Sequence, residues 1–169
     1  RPEKENTRPI PIVSLVKEAL KMLRSTLPSS IKLVEDIKGQ DLLVLADPTQ
    51  VHQMIVNLST NAKHAMGSGV GTLTVSVKST RLGQNIRKTS ACLQPGDYVH
   101  IAVSDTGAGI EEHDLDQIFI PYFTTRKEGT GTGLGLPIVH GIVKSHKGHI
   151  EVESEAGKGS TFHVYLPLL

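Results

Sequence analysis

Two glycine clusters, each at the edge of an apolar run, constrain this chain more than anything else in it. The first, Asp105-Thr-Gly-Ala-Gly109, ends a run that reads as a strand. The second, Gly129-Thr-Gly-Thr-Gly-Leu-Gly135, begins about twenty residues later and opens an apolar helix. Glycine forfeits side-chain packing and costs backbone entropy, so such density fits places where the backbone turns tightly or approaches something closely. The pattern therefore brings a strand end and a helix N-terminus into one neighbourhood.

Periodicity supplies the surrounding elements. Ile12, Val13, Val16, Ala19, Leu20 and Leu23 form a helical stripe that follows Pro9 and Pro11 and stops at Pro28. Residues 31–37 and 42–46 read as strands. Asp47 is a favourable N-cap and Pro48 fits the first helical position, so a helix runs from there to about Met66, where a Gly-Ser-Gly-Val-Gly run breaks it. Strands are expected at 72–80 and 98–104, separated by a polar loop containing Asn85, Pro95 and Gly96. A short acidic helix at 111–118, a nearly all small and polar stretch at 127–133 that should be mobile, a helix at 135–146 and two strands at 149–154 and 161–166 complete the reading. Helices set apart from a mostly antiparallel sheet make an α+β, two-layer sandwich, distinct from strict βαβ alternation.

Length and composition narrow the class. The 169 residues suffice for one domain with a real core, expected over 9–169 with 1–8 as a linker remnant. No apolar stretch approaches the ~18 residues of a membrane span, and the polar N-terminus has no signal-peptide core. One cysteine, Cys92, excludes an internal disulfide framework and fits a reducing, cytoplasmic setting. A formal charge of +1 gives no field that would draw nucleic acid or an acidic membrane surface.

The candidate chemistry lies on three segments. Along the helix from Asp47, Val51, Ile55, Leu58, Ala62 and Ala65 form an apolar stripe, edged by Gln53, Asn57, Asn61 and His64. Asn57 and Asn61, four apart, point the same way. They are either solvated amides or hard oxygen ligands suited to Mg²⁺ that already carries phosphate oxygens and water. Asp105 can accept from an exocyclic amine such as that of adenine, with Gly107 and Gly109 letting the backbone approach the ring; alone, the motif is also a plain turn. Gly131, Thr132, Gly133, Leu134, Gly135 and Leu136 lead into the stripe Ile138, Val139, Ile142 and Val143, where freed N–H groups and the helix dipole favour polyphosphate. The spacing is neither a Walker loop nor a dinucleotide fingerprint. Eight histidines are scattered without metal-ligand spacing, and only His64 lies on the asparagine strip.

In sum, these residues resemble the catalytic, ATP-binding domain of bacterial sensor histidine kinases, in the superfamily shared with gyrase B and MutL. Asn57-Leu-Ser-Thr-Asn61-Ala62 resembles the N box, Asp105 to Ile110 the first glycine box, and Phe119-Ile-Pro-Tyr-Phe123 the F box. Gly131 to Leu136 resembles the second glycine box and Gly157-Lys-Gly-Ser-Thr161-Phe162 the last. The Asn-Ala-x-x-Ala-Met and Phe-Thr-Thr-Arg forms are most similar to the nitrogen-sensor and hybrid-kinase subgroup.

The resemblance implies a Bergerat fold, a mixed sheet covered on one face by three helices, with a mobile lid over about 122–134. It implies ATP and Mg²⁺ as ligands, with Asn61, aided by Asn57, on Mg²⁺. Arg126 and Lys127 would neutralise γ-phosphate charge. Nucleotide contacts would come from His64, Ala65, Asp105, Gly107, Gly109, Ile110, Tyr122, Phe123 and the glycine-rich stretch through Leu136, and Thr161 would support adenine through the aspartate. Asn57 stands where related ATPases carry a glutamate base, which implies slow hydrolysis. Ile120 replaces an acid common in the F box, and Pro137 a small residue. No His-Glu or His-Asp pair opens a helix, so the implied partners are a helical dimerisation domain carrying the phosphoacceptor histidine, in the same protein, and a response regulator or receiver domain. The full-length protein could be membrane-anchored, with this part cytoplasmic and no direct membrane contact. Two other readings remain open: a non-catalytic, nucleotide-gated module, and a serine kinase of the anti-sigma-factor type.

Overall fold

The computed structural model describes residues 6–40, 42–83, 93–125 and 133–169. Helix α1 spans Ile12–Arg24, α2 Pro48–Ala65 and α3 Gly135–Ser145. The strands are β1 (Arg8–Pro11), β2 (Ile31–Ile37), β3 (Leu43–Ala46), β4 (Gly71–Leu82), β5 (Gly96–Asp105), β6 (His149–Glu155) and β7 (Gly159–Pro167). Five of them form one sheet in the order β2-β4-β5-β7-β6, parallel between β2 and β4 and antiparallel elsewhere. The expected α+β sandwich is thus present.

Side-chain parity builds the core. Leu73, Val75 and Val77 of β4, Val99, Ile101 and Val103 of β5, and Phe162, Val164 and Leu166 of β7 alternate along their strands and are all buried. They pack with Ile12, Val16 and Leu20 of α1, Val51, Ile55 and Leu58 of α2, and Val139 and Val143 of α3 in one continuous cluster. Burial of that apolar surface is the main force holding helices to sheet, at roughly 25 cal/mol per Å². Among the described residues no helix is long and apolar enough to cross a membrane.

Two elements differ from expectation. Arg8–Pro11, whose first residue falls in the expected linker, is a strand paired antiparallel with β3, with Pro9 opposite Leu45 and Ile10 opposite Val44. Two prolines hid it, since proline cannot donate to a ladder and sits only at strand edges. The expected helix at 111–118 is only a 3-10 turn at Glu112–Asp114, continued by tight turns. Its bonds run three residues back, Asp114 N–H to Glu111 at 2.9 Å and Gln117 N–H to Asp114 at 2.9 Å. Of residues 111–118 only Ile118 is buried, too small an apolar face to hold an α-helix on the core.

Candidate functional site

Helix α2 forms one wall of a cleft of about 520 Å³. Its start is fixed by Asp47, whose Oδ1 accepts from the N–H groups of Thr49 at 2.8 Å and Gln50 at 3.4 Å. From that fixed phase Asn57, Thr60, Asn61, His64 and Ala65 face the cleft. The floor is the end of β5, where Asp105 is buried and paired with Ser160 of β7. Phe123, Thr124, Thr125 and Ile118 form the opposite side, and Gly133, Gly135, Leu136 and Pro137 the rim.

Asp105 Oδ1 accepts the Gly107 N–H at 2.8 Å. Burial raises the carboxyl pKa above its ordinary value, while the N–H groups of Gly107 and Ser160 act in the opposite direction. The carboxylate is therefore oriented by backbone donors yet keeps acceptor capacity for a ligand. Gly107 serves packing: a Cβ there would lie 2.5 Å from the Ala65 carbonyl, and the next residue, Ala108, donates its N–H to that same carbonyl at 2.9 Å. Gly109, at φ +71°, presses on the Glu155 backbone, while the Gly157 N–H donates to the Ala108 carbonyl at 2.7 Å. The two glycines close the turn against α2 and the β6–β7 hairpin, in contact with the protein's own backbone, and Gly109 also lines the cleft.

At the rim, α3 begins without a side-chain cap and without acidic residues in its first turn. Among the described residues no side chain caps its N-terminal N–H groups, and its positive dipole end favours an anion in the cleft. Gly135 sits against the Asn61 amide: a Cβ on it would be 3.7 Å from Oδ1. Pro137, in the first turn, removes an N–H that the helix itself would not use.

Of the residues expected at the site, Asn57, Asn61, His64, Ala65, Asp105, Gly109, Ile110, Phe123, Gly133, Gly135 and Leu136 line this one cleft. Gly107 lies beneath it, and Leu134 precedes α3. Tyr122 is 76% exposed with φ +67°, and its N–H donates to the Gly133 carbonyl at 3.0 Å, so it braces the rim without lining it. Arg126, Lys127, Gly131 and Thr132, with most of the expected lid, lie outside the described residues, as do Cys92 and Asn85. Thr161 is corrected: it sits on the opposite face of the sheet, its hydroxyl 2.8 Å from that of Ser104. Ser160 takes the cleft position instead. Parity with the apolar Phe162, Val164 and Leu166 could have found it, because residues two apart share a face. Thr60, Ala108, Ile118, Thr124, Thr125, Pro137 and Phe162 were also missed as cleft residues; helix spacing from Asn57 and His64 could have found Thr60, and strand parity with Ser160 could have found Phe162, while tertiary packing brings the others there.

A buried carboxylate at a strand end, an asparagine-bearing helix and an uncapped helix start around one cleft define a nucleotide-binding domain of the α+β sandwich class. The chain belongs to the histidine kinase-, DNA gyrase B-, and HSP90-like ATPase family, whose model matches residues 46–169. It is 44% identical to the sensor kinase CckA of Brucella abortus (strain 2308) over 132 residues, which are 78% of this chain and 14% of that protein. It is also 44% identical to the sensor histidine kinase ZraS of Escherichia coli (strain K12) over 126 residues, 74% of this chain and 23% of ZraS. The catalytic domain of histidine kinase ThkA, in a nucleotide-free form, superposes with a TM-score of 0.75 at 27% identity, covering 96% of this chain and 95% of that one. Within its family this chain is an ATP-binding catalytic domain of the two-component sensor histidine kinase kind. It spans less than a quarter of the length of either of these two curated relatives.

Proposed function

We propose that the cleft binds Mg-ATP and presents the γ-phosphoryl group to a histidine on a helical dimerisation domain of the full-length protein. The observation that carries this reading is Asp105, a buried acceptor facing the same cleft as Asn57, Asn61 and the uncapped start of α3. Asp105 accepts from the adenine amine. The N–H groups of Gly135 and Leu136 meet phosphate oxygens, with His64 at the same wall. The carboxamides of Asn61 and Asn57 suit Mg²⁺: neutral oxygen donors beside a helix start fit an ion whose remaining ligands are phosphate and water. When bound, that ion draws charge from the phosphates. In the transfer itself an imidazole nitrogen forms the new P–N bond as the bond from γ-phosphorus to the bridging oxygen breaks, and ADP leaves with that electron pair. Such transfer rests on positioning and charge neutralisation, which Arg126 and Lys127 supplement, so the domain needs no nucleophile of its own.

Among the described residues lining the cleft, Asp105 is the one carboxylate, and it is already engaged by two N–H groups. An asparagine cannot take a proton from water. ATP therefore waits for its protein acceptor. A response regulator or receiver domain would take the phosphoryl group onward, on the cytoplasmic side of the cell. The lengths of the relatives leave ample room for such additional domains. Asp105→Asn replaces an acceptor with an amide that can donate towards the adenine amine, and is expected to abolish ATP binding in calorimetry while circular dichroism and melting show an intact fold. Retained affinity in a folded Asp105→Asn domain overturns this assignment.

A further inference from the structure

Ser154, on β6, lies two strands from Asp105, with β7 between them, and does not line the cleft, yet three bonds converge on its hydroxyl. The Ile110 N–H, just past the glycine turn, reaches Oγ at 2.7 Å; the Ser160 hydroxyl stands at 2.7 Å; the Gly159 carbonyl lies at 3.1 Å. Ser154 and Ser160 are register partners across β6 and β7, and Ser160 is the register partner of Asp105 across β7 and β5. One polar chain thus runs across three strands from the cleft floor to a residue behind it.

A serine hydroxyl has one proton and two lone pairs. Ile110 occupies one lone pair of Ser154. If its proton goes to the Gly159 carbonyl, the second lone pair takes the Ser160 proton, and all three contacts become bonds. If the proton goes to Ser160 instead, the Gly159 contact is lost as a bond and one fewer is made. The first arrangement has the greater number of bonds, and a partly buried polar network gains by full satisfaction. In it the Ser160 hydroxyl has turned its proton away from the cleft and offers only lone pairs there, beside the Asp105 carboxylate.

We propose that Ser154 is a positioning residue for base selection: by holding the Ser160 proton and the Ile110 turn it keeps the cleft floor an all-acceptor surface, which favours 6-amino purines and rejects 6-oxo purines. The inference rests on the assignment of this cleft to ATP. A 6-oxo purine would set its carbonyl against the acceptor lone pairs of Asp105 and Ser160 at this floor. With Ser154 removed, the Ser160 hydroxyl can rotate and donate to such a carbonyl, while Ile110 N–H loses its acceptor.

The test is calorimetric titration of the domain, wild type and Ser154→Ala, with Mg²⁺ and non-hydrolysable analogues of ATP and GTP. Ser154→Ala is expected to weaken the ATP analogue about tenfold while the GTP analogue holds or gains, so that preference narrows by tenfold or more, and Ser154→Thr, which keeps the hydroxyl, restores it. A merely structural serine would lower both affinities by the same factor; that result, or an unchanged preference, overturns the proposal. Should Ser154→Ala not fold, Ser160→Ala, which spares the Ile110 and Gly159 bonds, must also narrow the preference, and failure to do so overturns the proposal equally. If the wild-type domain binds neither analogue, the ATP assignment itself falls and this inference with it. Wild-type ATP binding with unaltered selectivity in the variants sinks the role of Ser154 alone.

Discussion

At Gly107 the space for a side chain is filled by the end of α2, and the substitution consequence can be graded against Gly157. Gly107→Ala would set a Cβ 2.5 Å from the carbonyl carbon and oxygen of Ala65, both backbone atoms that cannot swing aside. It is expected to cost about 1–3 kcal/mol in urea unfolding and to weaken ATP binding, since the turn that aims Asp105 must shift. Gly157→Ala meets nothing within 4 Å but keeps φ +83°, so its cost is the left-handed strain alone, about 1–2 kcal/mol, with ATP affinity unchanged. A loss of affinity in Gly157→Ala equal to that in Gly107→Ala would show that the glycines act through general loosening of the hairpin. The sequence marks both positions as glycine but cannot say what crowds them, because Ala65 lies 42 residues from Gly107 in the chain. Likewise the Gly-Lys-Gly-Ser-Thr string points to a hydroxyl on the cleft, and strand parity decides between Ser160 and Thr161.

Among the described residues, the three helices and six of the seven strands were legible because their apolar residues repeat at helical or strand period and their ends carry Asp47, Pro48 or glycine. The exceptions, β1 and the turn at Glu112–Asp114, depend on partners far along the chain, and no local pattern encodes them. One device between elements was likewise invisible. His146, just after α3, accepts the Asp47 N–H on Nε2 at 3.0 Å, and its Nδ1 lies 2.7 Å from the Ile142 carbonyl. Those partners place the ring proton on Nδ1. The ring therefore clips the C-terminal end of α3 to the cap of α2, the two helices that carry Gly135 and Asn61. His146→Ala orphans the Asp47 N–H and is expected to cost about 1–3 kcal/mol in chemical denaturation. If the clip also fixes the spacing of the two helices at the cleft, ATP affinity falls in the folded variant; a loss of stability with unchanged affinity would confine the histidine to holding the layers together.

For the molecule as a whole, among the described residues the sheet has one face under helices and one without them, and the second face carries its own acid response. There His100 stacks on Tyr165 with ring centroids 4.7 Å apart and on His163 at 5.0 Å, and its Nε2 lies 2.8 Å from His163 Nδ1. Burial chiefly, then the neighbouring His163 and Lys78, lower the His100 pKa to about 4, with Glu153 opposing them. In the unfolded chain the same ring titrates near ~6.5. Between those values the unfolded state holds a proton that the native state does not, so acid favours unfolding. The contribution of His100 is full above about pH 6.5, declines as pH falls towards about 4, and changes no further below that. Asp105 runs the other way: its raised pKa means that the native state takes up a proton before the unfolded one does, so acid favours the fold through that group. The His100 component must therefore be read as a difference. His100→Phe keeps a flat ring for Tyr165 and removes the titration, and its urea midpoint should fall less than that of the wild type between pH 6.5 and 4. Parallel midpoints across that window would mean that the His100 ring is protonated in the folded protein as readily as in the unfolded one, and that the stack does not exclude the charge.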